Sequence, residues 1–142
     1  MTASLIIIDA ALLSGRFAPI VVAGDLELSA WAGAWAATDT IYYIENGFSL
    51  RKVSAAGGAV GTVTDRQPPD GYWRVGMHLL PGGRHALVGV GRGDGLGKEH
   101  LDVVSLATGE HRFLLKDVLD ARFDGQGHLL YVPFGHSELA VV

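Results

Sequence analysis

The sequence predicts an all-β chain of tandem antiparallel sheets, and three observations carry that expectation. Its 142 residues include 20 glycines, scattered singly and in pairs, about twice the usual ~7% share. The apolar runs are short, rich in β-branched and aromatic side chains, and bounded by Gly, Pro, Asp or Asn every ~8–12 residues. A pattern of bulky residue, turn and apolar strand recurs at a fixed spacing of 44 residues. Helical spacing with caps at both ends is sustained nowhere, and only Ala10 to Leu13 fits a helical turn.

The repeat begins with Trp35-Ala-Ala-Thr-Asp-Thr-Ile-Tyr-Tyr43 and returns as Leu79-Leu-Pro-Gly-Gly-Arg-His-Ala-Leu87 and Phe123-Asp-Gly-Gln-Gly-His-Leu-Leu-Tyr131. The bulky positions Trp35, Leu79 and Phe123 are 44 residues apart, and the turn residues Asp39, Gly83 and Gly127 keep that step. They are expected at equivalent, largely buried positions. A second unit, strand–turn–strand, interleaves with the first. It runs from Ser4 to Val22 with its turn ending at Gly15, from Ser49 to Thr64 through Gly57-Gly58, and from His100 to Leu115 through Gly109. Ser4 to Ser49 is 45 residues and Ser49 to His100 is 51, the longer step reflecting a glycine-rich insertion over 91–98. Ser137 to Val142 repeats the opening strand of that unit.

A period of ~40–45 residues with four strands per unit is that of a β-propeller blade. Blades stack face to face, so their middle strands are covered on both sides and read as continuous apolar runs. Ile41-Tyr-Tyr-Ile44, Ala86-Leu-Val88 and Leu129-Leu-Tyr-Val132 are such runs. The expected organisation is the end of a blade over 1–27, a blade over 28–66, a blade with the insertion over 67–117, and an incomplete blade over 118–142. About three blades make an incomplete ring, since six at ~40–45 residues need ~250.

Composition narrows the function classes. Hydrophobic residues make up 49% and charged residues 18%, the balance of a packed globular chain. A net charge of -4 supplies no basic footprint for nucleic acid or for anionic lipid. With no cysteine, disulfides, thiolate metal sites and cysteine nucleophiles are excluded. Met1-Thr2-Ala3-Ser4 lacks the positive start of a signal peptide, and no apolar run reaches the ~18 residues of a membrane span.

With its repeat units in this order, the chain resembles the TolB-like, WD-repeat-like propellers found behind bacterial eukaryotic-like serine/threonine kinase domains. The resemblance rests on Trp35 to Tyr42, Leu50-Arg-Lys-Val-Ser-Ala-Ala-Gly-Gly58 and Ala121-Arg-Phe-Asp-Gly-Gln-Gly-His-Leu-Leu-Tyr-Val132, and covers roughly residues 30 to 142. The family's Pro-Asp-Gly turn is replaced by Ala37-Thr38-Asp39 and by Pro81-Gly82-Gly83. None of the kinase motifs is present, so the resemblance implies a kinase-associated domain and no kinase activity in this chain.

Each motif with a chemical reading has a structural one beside it. Gly89 to Lys98 suggests a phosphate loop, but the Walker pattern needs glycine where Arg92 stands and Ser or Thr where Glu99 stands. Gly135-His136-Ser137-Glu138 begins like a hydrolase elbow, but position 139 is leucine and no helix follows. His78, His85, His100, His111, His128 and His136 follow no paired ligand spacing, and Asp117, Asp120 and Asp124 make no calcium loop, so neither metal nor cofactor is expected. Trp31, Trp35, Trp73, Tyr42 and Tyr43 suit an aromatic cage, although Trp35 and Tyr42 stand at core-repeat positions. Tyr72 and Trp73 lie in the polar connection Asp65 to Arg74, near the face where propellers meet partners. They are the expected contact residues.

The expected function is a non-catalytic interaction or sensing segment of a larger bacterial protein, taking a protein or small ligand at the propeller face. Two alternatives stand beside it: the substrate-gating propeller of a serine peptidase, its catalytic triad lying elsewhere, and a self-associating half-propeller.

Overall fold

A computed structural model describes residues 2–7, 20–27, 30–66, 68, 73–92, 99–133, 135 and 140–142. The described strands are β1 (Thr2–Ile7), β2 (Ile20–Glu27), β3 (Ala30–Trp35), β4 (Thr40–Glu45), β5 (Ser49–Ser54) and β6 (Gly61–Thr64). They continue as β7 (Trp73–Leu79), β8 (His85–Gly91), β9 (His100–Ser105), β10 (His111–Lys116), β11 (Val118–Phe123), β12 (Leu129–Pro133) and β13 (Ala140–Val141). Among the described residues there is no helix.

Every pairing is antiparallel between chain neighbours. β1 and β2 form a hairpin, β3-β4-β5-β6 and β7-β8-β9-β10 are four-stranded meanders, and β11-β12-β13 is a three-stranded one. β7 lies against β3, and β11 against β7, β8 and β9. The chain is a β-propeller segment of tandem sheets stacked in sequence, forming an incomplete ring.

The 44-residue spacing has a local cause. The N–H groups of Ala36, Leu80 and Asp124 donate to the carbonyls of Thr40, His85 and His128, closing the same turn after β3, β7 and β11. Asp39, Gly83 and Gly127, also 44 apart, all take positive φ, at 54°, 63° and 112°. A tight reversal demands that left-handed geometry, which glycine adopts freely and aspartate tolerates. The second turn absorbs one extra residue, so its hydrogen bond spans Leu80 to His85. In the first meander, Asn46 and Gly47 also have positive φ, 55° and 70°, and the Phe48 N–H donates to Glu45. Glu45 then pairs with Ser49, so the reversal is a three-residue loop whose first two residues take the left-handed geometry.

Strand alternation then builds a core on each side of the second meander. Ala32, Ala34, Tyr42, Ile44 and Leu50 face the second meander and meet Met77, Ala86, Val88, Val90, Val104 and Leu106. On the other side of the second meander, Leu87 and Leu101 meet Val118, Ala121, Phe123, Leu129 and Tyr131. β8 sits in the middle, and its run Ala86 to Val88 is buried throughout because successive residues serve opposite cores.

The three bulky repeat residues do occupy equivalent places: each ends the first strand of its sheet, opposite Ile41, Ala86 and Leu129 respectively. The expectation of common burial is corrected for Trp35, which is 52% exposed, while Leu79 and Phe123 pack on the sheet before them. The reason is what precedes each. Leu79 and Phe123 face four-stranded sheets, whereas the described strands before Trp35 form a two-stranded hairpin that reaches the first meander at β5.

Candidate functional site

A cleft of about 450 Å³ lies between Arg66 and Pro68 and the near face of the second meander. Alternation along the strands stocks it. In β9, His100 and Asp102 point to the cleft while Leu101 between them enters the second core. In β10, His111 and Phe113 share the cleft side for the same reason, two residues apart. Register places Arg74 beside Val90, and Val90 beside His100. Arg66 and Pro68 form the opposite wall.

Arg74 is the centre of this arrangement. It is 1% exposed, and its backbone N–H donates to the Gly47 carbonyl at 2.7 Å, which ties the start of β7 to the Asn46-Gly47 turn. Its Nη2 donates to the Arg66 carbonyl and to Nε2 of His111 at 3.2 Å. A guanidinium has only donors, so Nε2 is the acceptor and the His111 proton sits on Nδ1. That Nδ1 faces Oδ2 of Asp102 at 3.3 Å, and Nε2 of His100 lies 3.5 Å from Oδ1 of the same carboxylate. The result is a chain, Arg74–His111–Asp102–His100, running along the cleft floor.

Two parts of the guanidinium stand outside that chain. Nε and both hydrogens of Nη1 are buried with no acceptor among the described residues. A buried polar group left without a partner costs about 1–3 kcal/mol, more when charged. Burial accordingly pushes the Arg74 pKa down to about 10, with Arg66 adding repulsion and the Asp102 and Asp65 carboxylates opposing the fall. Asp65 is itself paired with Arg51 at 3.0 Å, and Arg51 also holds Glu45 at 2.8 Å. Asp102 is therefore the carboxylate within the cleft.

The residues expected from sequence are placed as follows. Tyr72 lies outside the described residues; Trp73 opens β7, its backbone paired with Gly91, and its side chain also lies outside them. Gly93 to Lys98 of the glycine-rich insertion, and His136 and Ser137, lie outside as well. Of the proposed aromatic cage, Tyr43 is fully buried, Tyr42 packs on the first core and Trp35 is exposed. Among the described histidines, His100 and His111 share the Asp102 carboxylate. His128 pairs with Asp124, and His78 faces Asp120 at 4.0 Å with its pKa lowered by burial and by Arg122. No group of three or more His, Cys, Asp or Glu able to hold a metal occurs among the described residues.

Sequence reasoning passed over Arg74 and Asp102, and weighed His100 and His111 only as metal ligands. The usable signals were an arginine within the apolar β7 run and the paired alternations His100-x-Asp102 and His111-x-Phe113 on consecutive strands. No helix among the described residues is long and apolar enough to cross a membrane. A scan against protein-family models finds no match to the chain, and a search of curated proteins finds no significant relative.

Proposed function

We propose that this chain is a non-catalytic binding segment of a β-propeller, with the cleft beside Arg74 as its contact site. One observation carries the reading. His111 and Asp102 make the hydrogen bond of a hydrolase dyad, but the Nε2 that would take a proton from a nucleophile is engaged by Nη2 of Arg74 instead. The described lining holds no serine, threonine, cysteine or lysine. A histidine held between a guanidinium and a carboxylate is suited to fixing a binding surface, not to activating a nucleophile.

A TolB-like, WD-repeat-like parentage belongs to the same proposal. Its support is the 44-residue recurrence and the Leu50 to Gly58 and Ala121 to Val132 segments. On that reading the chain is the sensing part of a larger bacterial protein such as a serine/threonine kinase. The reading frame around the chain checks the parentage: a kinase domain upstream is the expected result, and a peptidase or hydrolase domain would replace it with the substrate-gating alternative.

Activity is tested directly with an activated ester at neutral pH. The expected result is the same slow, unsaturable hydrolysis for the native chain and for His111→Gln. Saturable turnover that His111→Gln abolishes would overturn the non-catalytic reading.

A further inference from the structure

We infer that the cleft is a carboxylate site, built on Arg74 to take a monoanionic ligand with an apolar body; the inference rests on the binding-segment reading above. Three independent features converge. The first is the buried guanidinium lining the cleft: its Nε and Nη1 donors have no protein acceptor among the described residues, and because neither atom is open to solvent, a carboxylate reaches them only as the side chains around them part. Hydrogen bonds from a guanidinium to a carboxylate are about twice as strong as neutral ones, so a carboxylate is the partner such donors select.

The second is charge. The described lining contains two guanidiniums, Arg66 and Arg74, against one carboxylate, Asp102. Asp102 is turned to His111 and His100, at 3.3 and 3.5 Å. Counting the guanidiniums and the carboxylate alone, the formal balance is one positive charge. A monoanion neutralises it, while a dianion such as phosphate would leave excess negative charge beside Asp102. Asp65, the other acid acting on Arg74, is taken up by Arg51.

The third is the apolar part of the lining. Phe113 is 60% exposed and its ring lies 5.8 Å from that of His100, tilted by 37°. With Val90 and Pro68 it offers a surface for an aryl or alkyl group next to the cationic floor. A volume of about 450 Å³ is in the range of small-molecule sites, commonly ~300–1,000 Å³. The same chemistry can come from a free arylalkyl acid or from the C-terminal carboxylate of a peptide with an aromatic last residue.

The test is a two-dimensional amide NMR titration of the full chain with phenylacetate, phenylacetamide, inorganic phosphate, and a tripeptide ending in phenylalanine as free acid or amide. Saturable shifts are expected at His100, Asp102, His111 and Phe113, half-complete at or below about 1 mM phenylacetate. Phenylacetamide should bind at least tenfold more weakly, and phosphate more weakly than phenylacetate. Tighter binding of the peptide acid than of phenylacetate, lost on amidation, assigns the carboxylate to a chain terminus; the reverse order assigns it to a free acid. Arg74→Gln should abolish the shifts. Because that variant removes a buried group, Arg66→Ser and Phe113→Ser, both at the cleft rim, are the decisive ones, each expected to weaken binding three- to tenfold. Equal binding of acid and amide, preference for phosphate, or no saturable shift of a folded chain by about 50 mM would overturn the inference. Those failures leave the ester assay untouched, so loss of the carboxylate site and loss of the non-catalytic reading are separately visible.

Discussion

Gly109, in the β9–β10 turn, sits against the carbonyl of Val63 in β6: a Cβ there would lie 2.3 Å from that oxygen and 2.9 Å from Cβ of Thr64. The last hairpin of one sheet is thereby seated on the last strand of the sheet before it. Together with the Arg74 N–H bond to Gly47, this contact links the two four-stranded meanders across their junction.

Replacing Gly109 with alanine tests that contact. The residue has a φ of 70°, which costs a non-glycine side chain about 1–2 kcal/mol. The backbone clash adds about 1–3 kcal/mol of overpacking. Gly109→Ala is expected to lower stability by about 2–5 kcal/mol in urea denaturation. Gly125→Ala, also at positive φ but with nothing within 4 Å, separates the two causes and should cost only the backbone part. Equal losses for the two variants would show that the sheet contact carries no energy.

The corrected burial of Trp35 makes a second comparison. Ile44 is fully buried between the meanders and Trp35 is 52% exposed. Ile44→Ala should cost about 2–5 kcal/mol, while Trp35→Ala should stay near or below about 1 kcal/mol. A larger loss for Trp35 than for Ile44 would mean that the β3 corner is covered in solution.

Asp124 supplies a pH dependence. Its carboxylate accepts the Gln126 N–H at 2.7 Å, faces Nδ1 of His128 at 2.7 Å and accepts the His128 N–H at 3.0 Å, which together bring its pKa from 3.8 down to about 2. The folded value lies below the unfolded one, so the folded state favours the carboxylate. The stabilisation is complete above about pH 4 and disappears as pH falls through about 2. Asp124→Asn should therefore be less stable than the native chain at neutral pH and indistinguishable from it at the acid end. A carboxyl NMR titration of Asp124 with its midpoint near 4 would contradict this.

The outer face of the third sheet bears on self-association. Val141 stands opposite Leu130, turned away from the core that Tyr131 and Leu129 enter, and it is 59% exposed on the edge strand β13. An apolar edge strand invites pairing with another chain, and lysine is the usual residue that blocks it. Light scattering should show apparent mass rising with concentration, and Val141→Lys should reduce that rise without changing the circular dichroism spectrum. Concentration-independent monomers for both would remove β13 as an association edge.

The local architecture was legible in the sequence because turns and alternation are local. Asp39, Gly83 and Gly127 mark the same left-handed turn position every 44 residues, and runs such as Ala86 to Val88 announce strands covered on both faces. Which strand positions would be covered was decided by the stacking of whole sheets. Trp35 stands at the same repeat position as Leu79 and Phe123, yet only those two have a four-stranded sheet before them. The candidate site was hidden for the same physical reason. Arg74 and His111 are 37 residues apart, and their hydrogen bond exists because the strands of one meander bring both to one face under the β6–β7 connection. Period and turn chemistry act over a few residues and can be read along the chain. Burial, the donor left without an acceptor, and the cleft that holds it arise only when strands distant in sequence are brought side by side.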